Sequence, residues 1–296
     1  MIRATAGCLA ALALAACATT PVAEPQMASD DAPDTMQWLY GSGEAAGVSI
    51  QAWRALVDYA VARSRERRIP QSVAMGIGGE VAEPQSCAIG DSWKPLAVVF
   101  DVDETVILNL GYEYFLAQGE SFSPETWRLW EETGAGHVQP VPGAVAGLRR
   151  LREAGITPVF NTNRQFSPQG AARAIANAGL GEAIHRDTLF LRGDDGVDSS
   201  DKDGRRALIA ERYCVIALAG DNLGDFADVF NDDELPGAER RELAVQGDLA
   251  QLWGNGWFVL PNPVYGDSLQ GTVDEVFPEG TRWSPDTAPA IMNEGN

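Results

Sequence analysis

Two carboxylates stand two residues apart, at Asp101 and Asp103, directly after the apolar run 96–100. Such a run is typical of a strand buried in a parallel sheet. Ligands of open α/β sheets bind beyond the carboxyl ends of the strands, where loop residues converge. At that position one aspartate can attack a phosphorus atom, the other can donate and take back a proton, and both can share a hard cation. Acidic pairs also occur on ordinary solvated loops, so this pair alone leaves both interpretations open.

Three later segments carry polar side chains that also suit binding of a phosphate group or a metal ion. The first follows the apolar run 156–160 and offers a hydroxyl and backbone N–H groups that suit phosphate oxygens. The second carries one of the two lysines of the chain, a compact cation that neutralises phosphate charge. The third follows the apolar run 214–219 and has two acids spaced to reach a metal ion. In chain order these residues are Thr162, Asn163, Lys202, Asp221 and Asp225.

The elements that must position these residues alternate between helix and strand. An insert at about 110–139 follows the first strand, and we expect it to form a small, mainly helical cap. A helix then begins at Pro142 and ends at Gly155, with Val145 and Leu148 on its apolar face. This alternation predicts an α/β fold with a doubly wound parallel sheet. The further predicted elements are a strand at 156–160, a helix at 171–178, a strand at 188–191, a helix at 203–212 and a strand at 214–219.

Composition limits the classes of partner. The chain has 296 residues, 45% of them hydrophobic, which is enough for one well-buried domain and a smaller appendage. Lys and Arg number 22 against 42 Asp and Glu, so the net charge is −20. Such an acidic chain is a poor binder of a phosphodiester backbone, and we expect no nucleic-acid partner. Binding of an anionic small molecule therefore requires locally positive charge, supplied by a metal ion or by a few basic residues.

The N-terminus is typical of an export signal. Arg3 precedes an apolar segment that is too short to span a membrane, and residues 14–17 read Leu-Ala-Ala-Cys. These four residues resemble the lipobox of bacterial lipoproteins, which predicts a signal peptide at 1–16 and lipidation of Cys17. An ordinary secretory signal with an incidental cysteine is the alternative. Ala18 after the cysteine favours the outer membrane, facing the periplasm or the surface, and several acyl chains would anchor the protein stably.

The segment 17–35 holds prolines and acids but no basic residue, which is typical of a solvated tether. The folded domain is then predicted at 36–296. Within it, Cys87 and Cys214 lie in an export compartment where a disulfide is permitted. Two cysteines show no disulfide framework, and Cys214 opens a buried strand. We therefore expect two inert thiols.

The order of motifs resembles that of the haloacid dehalogenase (HAD)-type phosphohydrolases: DxD, then Thr or Ser, then Lys, then DxxxD. The segments DVDETVILN, PVFNTNR, DKDGRR, GDNLGDF and LPNPVYG are similar to the class C acid phosphatases, which are bacterial outer-membrane lipoproteins that act on 5′-nucleotides. The resemblance covers about 36–275. Two segments depart from it: the loop at 201–205 is tighter and more acidic than in the family, so placing Lys202 needs a one-residue gap, and 231–253 has no match.

The resemblance implies a role for each motif residue. Asp101 would be the nucleophile that becomes an aspartyl-phosphate, and Asp103 the general acid that later activates water. Mg²⁺ would be held by Asp101, the backbone carbonyl of Asp103 and Asp221, while Asp225 would orient metal-bound waters or the lysine. The groups implied to bind the phosphoryl oxygens are Thr162, Asn163 and Lys202.

Substrate selectivity is expected to lie in the cap. Trp127 and Tyr265 match family positions whose rings sandwich a base or another flat leaving group. Trp127 and Trp130 are spaced as on one helix face, so either ring can equally belong to the core of the cap. His137 is expected at the surface.

The leading hypothesis is a Mg²⁺-dependent phosphomonoesterase for small phosphate esters such as nucleoside monophosphates. One alternative is the same chemistry on sugar phosphates or phosphoproteins, and another is a non-catalytic surface lipoprotein of the same fold. The sequence leaves open the preferred substrate, the pH optimum and whether the protein forms a homo-oligomer.

Overall fold

The computed structural model describes residues 31–77, 80–82, 84–232 and 235–285. The predicted signal peptide, the lipidation site at Cys17 and most of the tether lie outside the described residues. All the described helices and strands belong to one compact unit that begins at Pro33. Among the described residues, no helix has both the length and the apolar character needed to cross a membrane.

The described part of this unit contains both strands and helices, and the two alternate from β7 to β10. The strands are β1 (Met75–Ile77), β2 (Glu80–Ala82), β3 (Ala88–Ile89), β4 (Ser92–Trp93), β5 (Leu96–Phe100), β6 (Ile107–Leu108), β7 (Gln139–Pro140), β8 (Thr157–Asn161), β9 (Leu189–Phe190), β10 (Cys214–Gly220) and β11 (Trp257–Val259). The helices are α1 (Asp34–Met36), α2 (Gly43–Ser64), α3 (Leu110–Ala117), α4 (Pro124–Thr133), α5 (Ala144–Glu153), α6 (Pro168–Asn177), α7 (Asp203–Arg212), α8 (Gly237–Val245), α9 (Gly247–Ala250) and α10 (Val273–Val276).

Five parallel strands form the central sheet in the order β11-β10-β5-β8-β9. This confirms the predicted doubly wound α/β fold. Strand β11 was not predicted from the sequence. The strand order reverses direction between β5 and β10, and a crevice for a ligand opens beyond the strand ends at such a point.

Two hydrophobic cores cover the two faces of the sheet. Helices α2, α5 and α6 pack on one face, where Trp53 stacks on Phe100 with ring centroids 5.1 Å apart. Helix α7 and the segment around Phe226 pack on the other face. Strands covered on both sides are apolar at every position, which is why their sequences read as continuous runs.

The helix predicted from Pro142 begins at Ala144 instead, after Gly143 in the left-handed region at φ +100°. The prediction that Val145 lies on the buried face is wrong, because its side chain is 42% exposed. Ala144, Leu148 and Leu151 face the core instead. These three positions follow the helical spacing i, i+4, i+7, and Val145 lies one position beyond it.

The insert between β6 and β7 contains the helices α3 and α4. Helix α4 begins with a capping box between Ser123 and Thr126, and Pro124 occupies the first turn, where its missing N–H costs nothing. The insert predicted at 110–139 thus contains a pair of helices, and it follows β5 and β6 in the chain.

Cys87 and Cys214 form a disulfide with a Cα–Cα distance of 4.8 Å, so the expectation of two free thiols is wrong. The two residues are 127 positions apart in the chain. Cys214 opens β10 next to β5, and the backbone of Cys87 pairs with Lys94 just before β5. The sheet register therefore brings the two cysteines together, and no local pattern could show this.

Candidate active site

Asp101 and Lys202 meet at the carboxyl end of β5. Lys202 donates hydrogen bonds to the Asp101 carboxylate and to Asp225 Oδ1, the latter at 2.6 Å. All three side chains are largely shielded from solvent. The position assigned to Lys202 with a one-residue gap therefore brings its ammonium group into contact with the predicted nucleophile.

The carboxylates of Asp101, Asp221 and Asp225 form a cluster in which one oxygen from each lies within 4.8 Å of the others. Burial raises the pKa of Asp101 well above its usual value; Lys202 opposes this shift and the other carboxylates reinforce it. Burial and the charge of Asp225 raise the pKa of Asp221 to about 7. Crowded, buried oxygen donors with one ammonium group between them fit a hard divalent cation.

Asp221 is fixed from two sides. Its Oδ1 accepts a hydrogen bond from the Thr105 hydroxyl at 2.8 Å, and its Oδ2 accepts one from Asn262 Nδ2 at 2.8 Å. Such partners orient the oxygens of a carboxylate before a metal ion binds.

The Asp103 carboxylate pairs with Arg164. Arg164 Nη2 lies 2.7 Å and its Nε 3.0 Å from Asp103 Oδ1, and Asn109 Nδ2 donates to the same oxygen at 2.9 Å. Arg164 ends the segment PVFNTNR, and no role was predicted for it from the sequence. The only local signal was its place two residues after Thr162 at a strand end.

Thr162 and Asn163 lie in the loop after β8, as predicted. The Thr162 hydroxyl is fully buried and donates to Asp103 Oδ2 at 3.3 Å. The Asn163 side-chain oxygen accepts a hydrogen bond from Arg205 at 2.6 Å. The Thr162 hydroxyl and the Asn163 side-chain oxygen therefore have partners within the protein.

A cavity of about 550 Å³ opens over these groups. Its walls include most of the residues that the sequence predicted, namely Asp101, Asp103, Trp127, Asn163, Lys202, Asp221, Asp225 and Tyr265. Thr162 is not among the lining residues. Trp127 packs edge-on against Tyr112 at 4.9 Å between centroids, and the Arg164 guanidinium lies 5.5 Å from its indole ring.

The second tryptophan of the cap is structural. Trp130 is buried and donates from Nε1 to Asn109 Oδ1 at 3.1 Å. Of the two rings on α4, Trp127 alone lines the cavity. His137 is exposed, as expected.

Glu104 connects three parts of the site and was missed as a functional position. It is buried, has a left-handed backbone at φ +56°, and accepts hydrogen bonds from Tyr265 Oη, Tyr40 Oη and the Asn109 backbone. Burial and the charge of Asp103 raise the pKa of Glu104 to about 8. A buried carboxyl in a rare backbone conformation marks a position fixed by its surroundings.

An acidic cluster at the carboxyl ends of a parallel sheet, with a helical cap beyond it, defines an HAD-type α/β enzyme. The chain belongs to the HAD superfamily, subfamily IIIB (acid phosphatase), whose family model matches residues 79–268. Membership makes it a phosphatase of small phosphate esters. HAD phosphatases generally use a divalent metal ion, and the carboxylate cluster provides ligands for one.

Solved structures of class C acid phosphatase from Bacillus anthracis share this fold. One, with tungstate bound, has a TM-score of 0.60 at 20% identity, and another has a TM-score of 0.58 at 21% identity. Each similarity covers 79% of this chain and 84% of the other. No curated protein matches the sequence significantly.

Proposed function

We propose that the protein is a Mg²⁺-dependent phosphomonoesterase that acts on 5′-nucleotides through an aspartyl-phosphate on Asp101. The observation that carries this proposal is the contact of Lys202 with both Asp101 and Asp225 beside Asp221. A carboxylate attacks a phosphate anion only when positive charge lies between them, and the cluster supplies a lysine together with the ligands for a cation.

The proposed reaction has two balanced steps. An oxygen of Asp101 attacks phosphorus, and the bond to the leaving alkoxide breaks while Asp103 gives the alkoxide a proton. In the second step Asp103 takes a proton from water, which attacks the aspartyl-phosphate and releases inorganic phosphate. Asp101 is then free again as a carboxylate.

The remaining residues hold the phosphoryl group and the metal ion. Lys202 and Asn163, which line the cavity, bind phosphoryl oxygens through their N–H donors, and Thr162 supports the same loop through its hydrogen bond to Asp103. Asp101, Asp221 and the Asp103 backbone carbonyl would hold Mg²⁺, with Asp225 as a further ligand or as the partner of Lys202. When bound, the ion supplies positive charge that offsets the repulsion between nucleophile and phosphate.

The preference for nucleotides is supported by two rings in the walls of one cavity. Trp127 is half-buried on the cap, and Tyr265 is 41% exposed on the loop after β11. Flat bases stack on such rings without needing a specific hydrogen-bond pattern. The cavity of about 550 Å³ also has room for more than a phosphate group.

A phosphate-release screen tests this function. We expect nucleoside 5′-monophosphates to be hydrolysed faster than glycerol phosphate, with activity lost in EDTA and restored by Mg²⁺. Asp101→Asn is the matched control, because an amide keeps the shape of the side chain but cannot form the acyl phosphate. Metal-independent release, or turnover by Asp101→Asn, would contradict the proposal.

We also propose that the mature protein is an outer-membrane lipoprotein anchored through Cys17. The disulfide between Cys87 and Cys214 supports an oxidising export compartment. Cell fractionation of Cys17→Ser tests the anchor. We expect this variant to move from the membrane to the soluble fraction with unchanged specific activity, and its retention in the membrane would show that another segment anchors the chain.

A further inference from the structure

Two consecutive arginines near the start of α7 are completely buried. Arg205 and Arg206 follow Lys202 within one turn, and burying two neighbouring guanidinium groups is costly unless their donors are satisfied. Burial lowers the pKa of Arg205 to about 10. Their hydrogen-bond partners therefore show which segments of the fold the two arginines hold in place.

Arg205 binds the loop that follows β8. It donates to the backbone carbonyl of Thr162, to Asn163 Oδ1 at 2.6 Å and to the Asp201 carbonyl at 2.7 Å. The acceptors belong to the proposed phosphate-binding loop and to the residue just before Lys202. Its forked guanidinium thus fixes one loop relative to the other, which a lysine cannot do.

Arg206 binds the loop that follows β10. Its Nη1 donates to the carbonyls of Gly224 and Asp225, at 3.0 and 2.9 Å. Its Nη2 pairs with Asp203 and with Asp228, the latter at 2.7 Å. The backbone of the acidic loop is therefore fixed to the helix that begins after Lys202.

We propose that Arg205 and Arg206 are positioning residues that hold Lys202 between the two halves of the site, with a division of function. Arg205 fixes the position of the phosphate-binding half, which is the loop after β8. Arg206 fixes the position of the metal-binding half, which is the acidic loop after β10. Lys202 itself contacts Asp101 and Asp225 across this gap. The proposal rests on the proposed function, because it assigns the two halves to phosphate and Mg²⁺.

Two binding measurements on the full chain separate the halves. Mg²⁺ affinity is measured by calorimetry without substrate, and the inhibition constant of inorganic phosphate is measured at saturating Mg²⁺. Arg206→Lys should weaken Mg²⁺ binding by about 10- to 100-fold, the range for residues that orient metal ligands, with little change in phosphate inhibition. Arg205→Lys should raise the phosphate inhibition constant and KM by about 5- to 30-fold, since one or two hydrogen bonds are lost, and should leave Mg²⁺ affinity unchanged.

Arg212→Lys is the matched control, because Arg212 lies exposed at the end of the same helix. Thermal unfolding checks that each variant is folded. If a lysine variant does not fold, Arg205→Gln replaces Arg205→Lys and Asp228→Asn, which removes a partner of Arg206, replaces Arg206→Lys, and the same division must then appear. Equal effects on both measurements, or none, overturn the proposal while leaving the phosphatase assignment intact. A wild-type protein that neither binds Mg²⁺ nor releases phosphate overturns both.

Discussion

Arg164 holds Asp103 in an ion pair at 2.7 Å that is largely closed to solvent. Burial alone raises the pKa of Asp103, but the charge of Arg164 and the hydrogen bonds from Arg164 and Asn109 together hold that pKa below its usual value. The ion pair with Arg164 therefore favours the carboxylate form of Asp103, which is the form that takes a proton from water when an aspartyl-phosphate is hydrolysed. To protonate a leaving alkoxide in the first step, Asp103 must carry a proton, which is either kept from the previous turnover or taken up from solvent.

Replacing Asp103 with Asn tests its proton-transfer role through the leaving group. Alkoxides need a proton to depart and stable phenolates do not. In single-turnover experiments, Asp103→Asn should slow phosphorylation by alkyl phosphates by about 10²- to 10⁴-fold and spare aryl phosphates. Rapid-quench measurement of the released alcohol or phenol compares the two. An equal loss for both ester types would contradict the general-acid role.

Removing the ring of Trp127 or Tyr265 tests base stacking. Each Ala variant should lose about 1 to 3 kcal/mol in kcat/KM for nucleoside monophosphates, the range for base–aromatic stacking. The loss should appear mainly in KM, and glycerol phosphate should change little because it has no ring. Steady-state kinetics with both substrates gives the comparison.

Two variants serve as controls for this experiment. Tyr265→Phe keeps the ring and removes its hydrogen bond to Glu104, so it separates stacking from anchoring. Trp130→Ala removes a buried ring of the cap, and it should lower the Tm and affect both substrates alike. If Trp127→Ala behaves in the same way as Trp130→Ala, Trp127 supports only the fold of the cap.

Glu113 gives the stability a predictable pH dependence. The residue is 4% exposed, and its Oε2 has no hydrogen-bond partner among the described residues. Burial and the charge of Asp103 raise its pKa from 4.5 to about 7. Between these values the folded protein binds a proton that the unfolded chain releases, so the contribution of Glu113 to stability falls as pH rises through this window.

We therefore expect Glu113→Gln to be more stable than the wild type at about pH 8, by on the order of 2 to 3 kcal/mol. The difference should shrink toward about pH 5, where the wild-type carboxyl is protonated in the folded state. Urea unfolding in metal-free buffer measures it. Glu120→Gln, in the same insert but exposed, should show no such trend. A difference that is constant with pH would exclude titration of Glu113 as its cause.

The disulfide should contribute stability without affecting catalysis. Because it closes a loop of 127 residues, reduction or Cys87→Ala/Cys214→Ala should lower the free energy of unfolding by about 2 to 5 kcal/mol. Cys214 lies at the start of β10 and the carboxylate cluster lies beyond its end, so kcat/KM should stay unchanged while the protein is folded. Urea unfolding of oxidised and reduced protein checks the first part. A lower kcat/KM in the folded, reduced protein would contradict the second.

The sequence by itself predicted four of the five strands of the central sheet and the acidic residues at its edge. Asp101 and Asp221 could be placed because apolar runs predict parallel strands, and residues that follow such strands meet at one edge of the sheet. Lys202 was placed by the resemblance of its motif. The distances among them confirm that they come together.

Only the tertiary structure determined which side chains of the site pair with each other. The partner of Asp103, the anchoring of Tyr265 by Glu104 and the burial of Arg205 and Arg206 all depend on contacts between segments far apart in the chain. Val145 is exposed because α5 packs on the sheet through Ala144, Leu148 and Leu151, and only the packing decided which of the two neighbouring positions, 144 or 145, is buried. The pairing of Cys87 with Cys214 depends on strand register in the same way. Local propensity and periodicity report which face a residue occupies, whereas its partners are fixed only when the layers pack against each other.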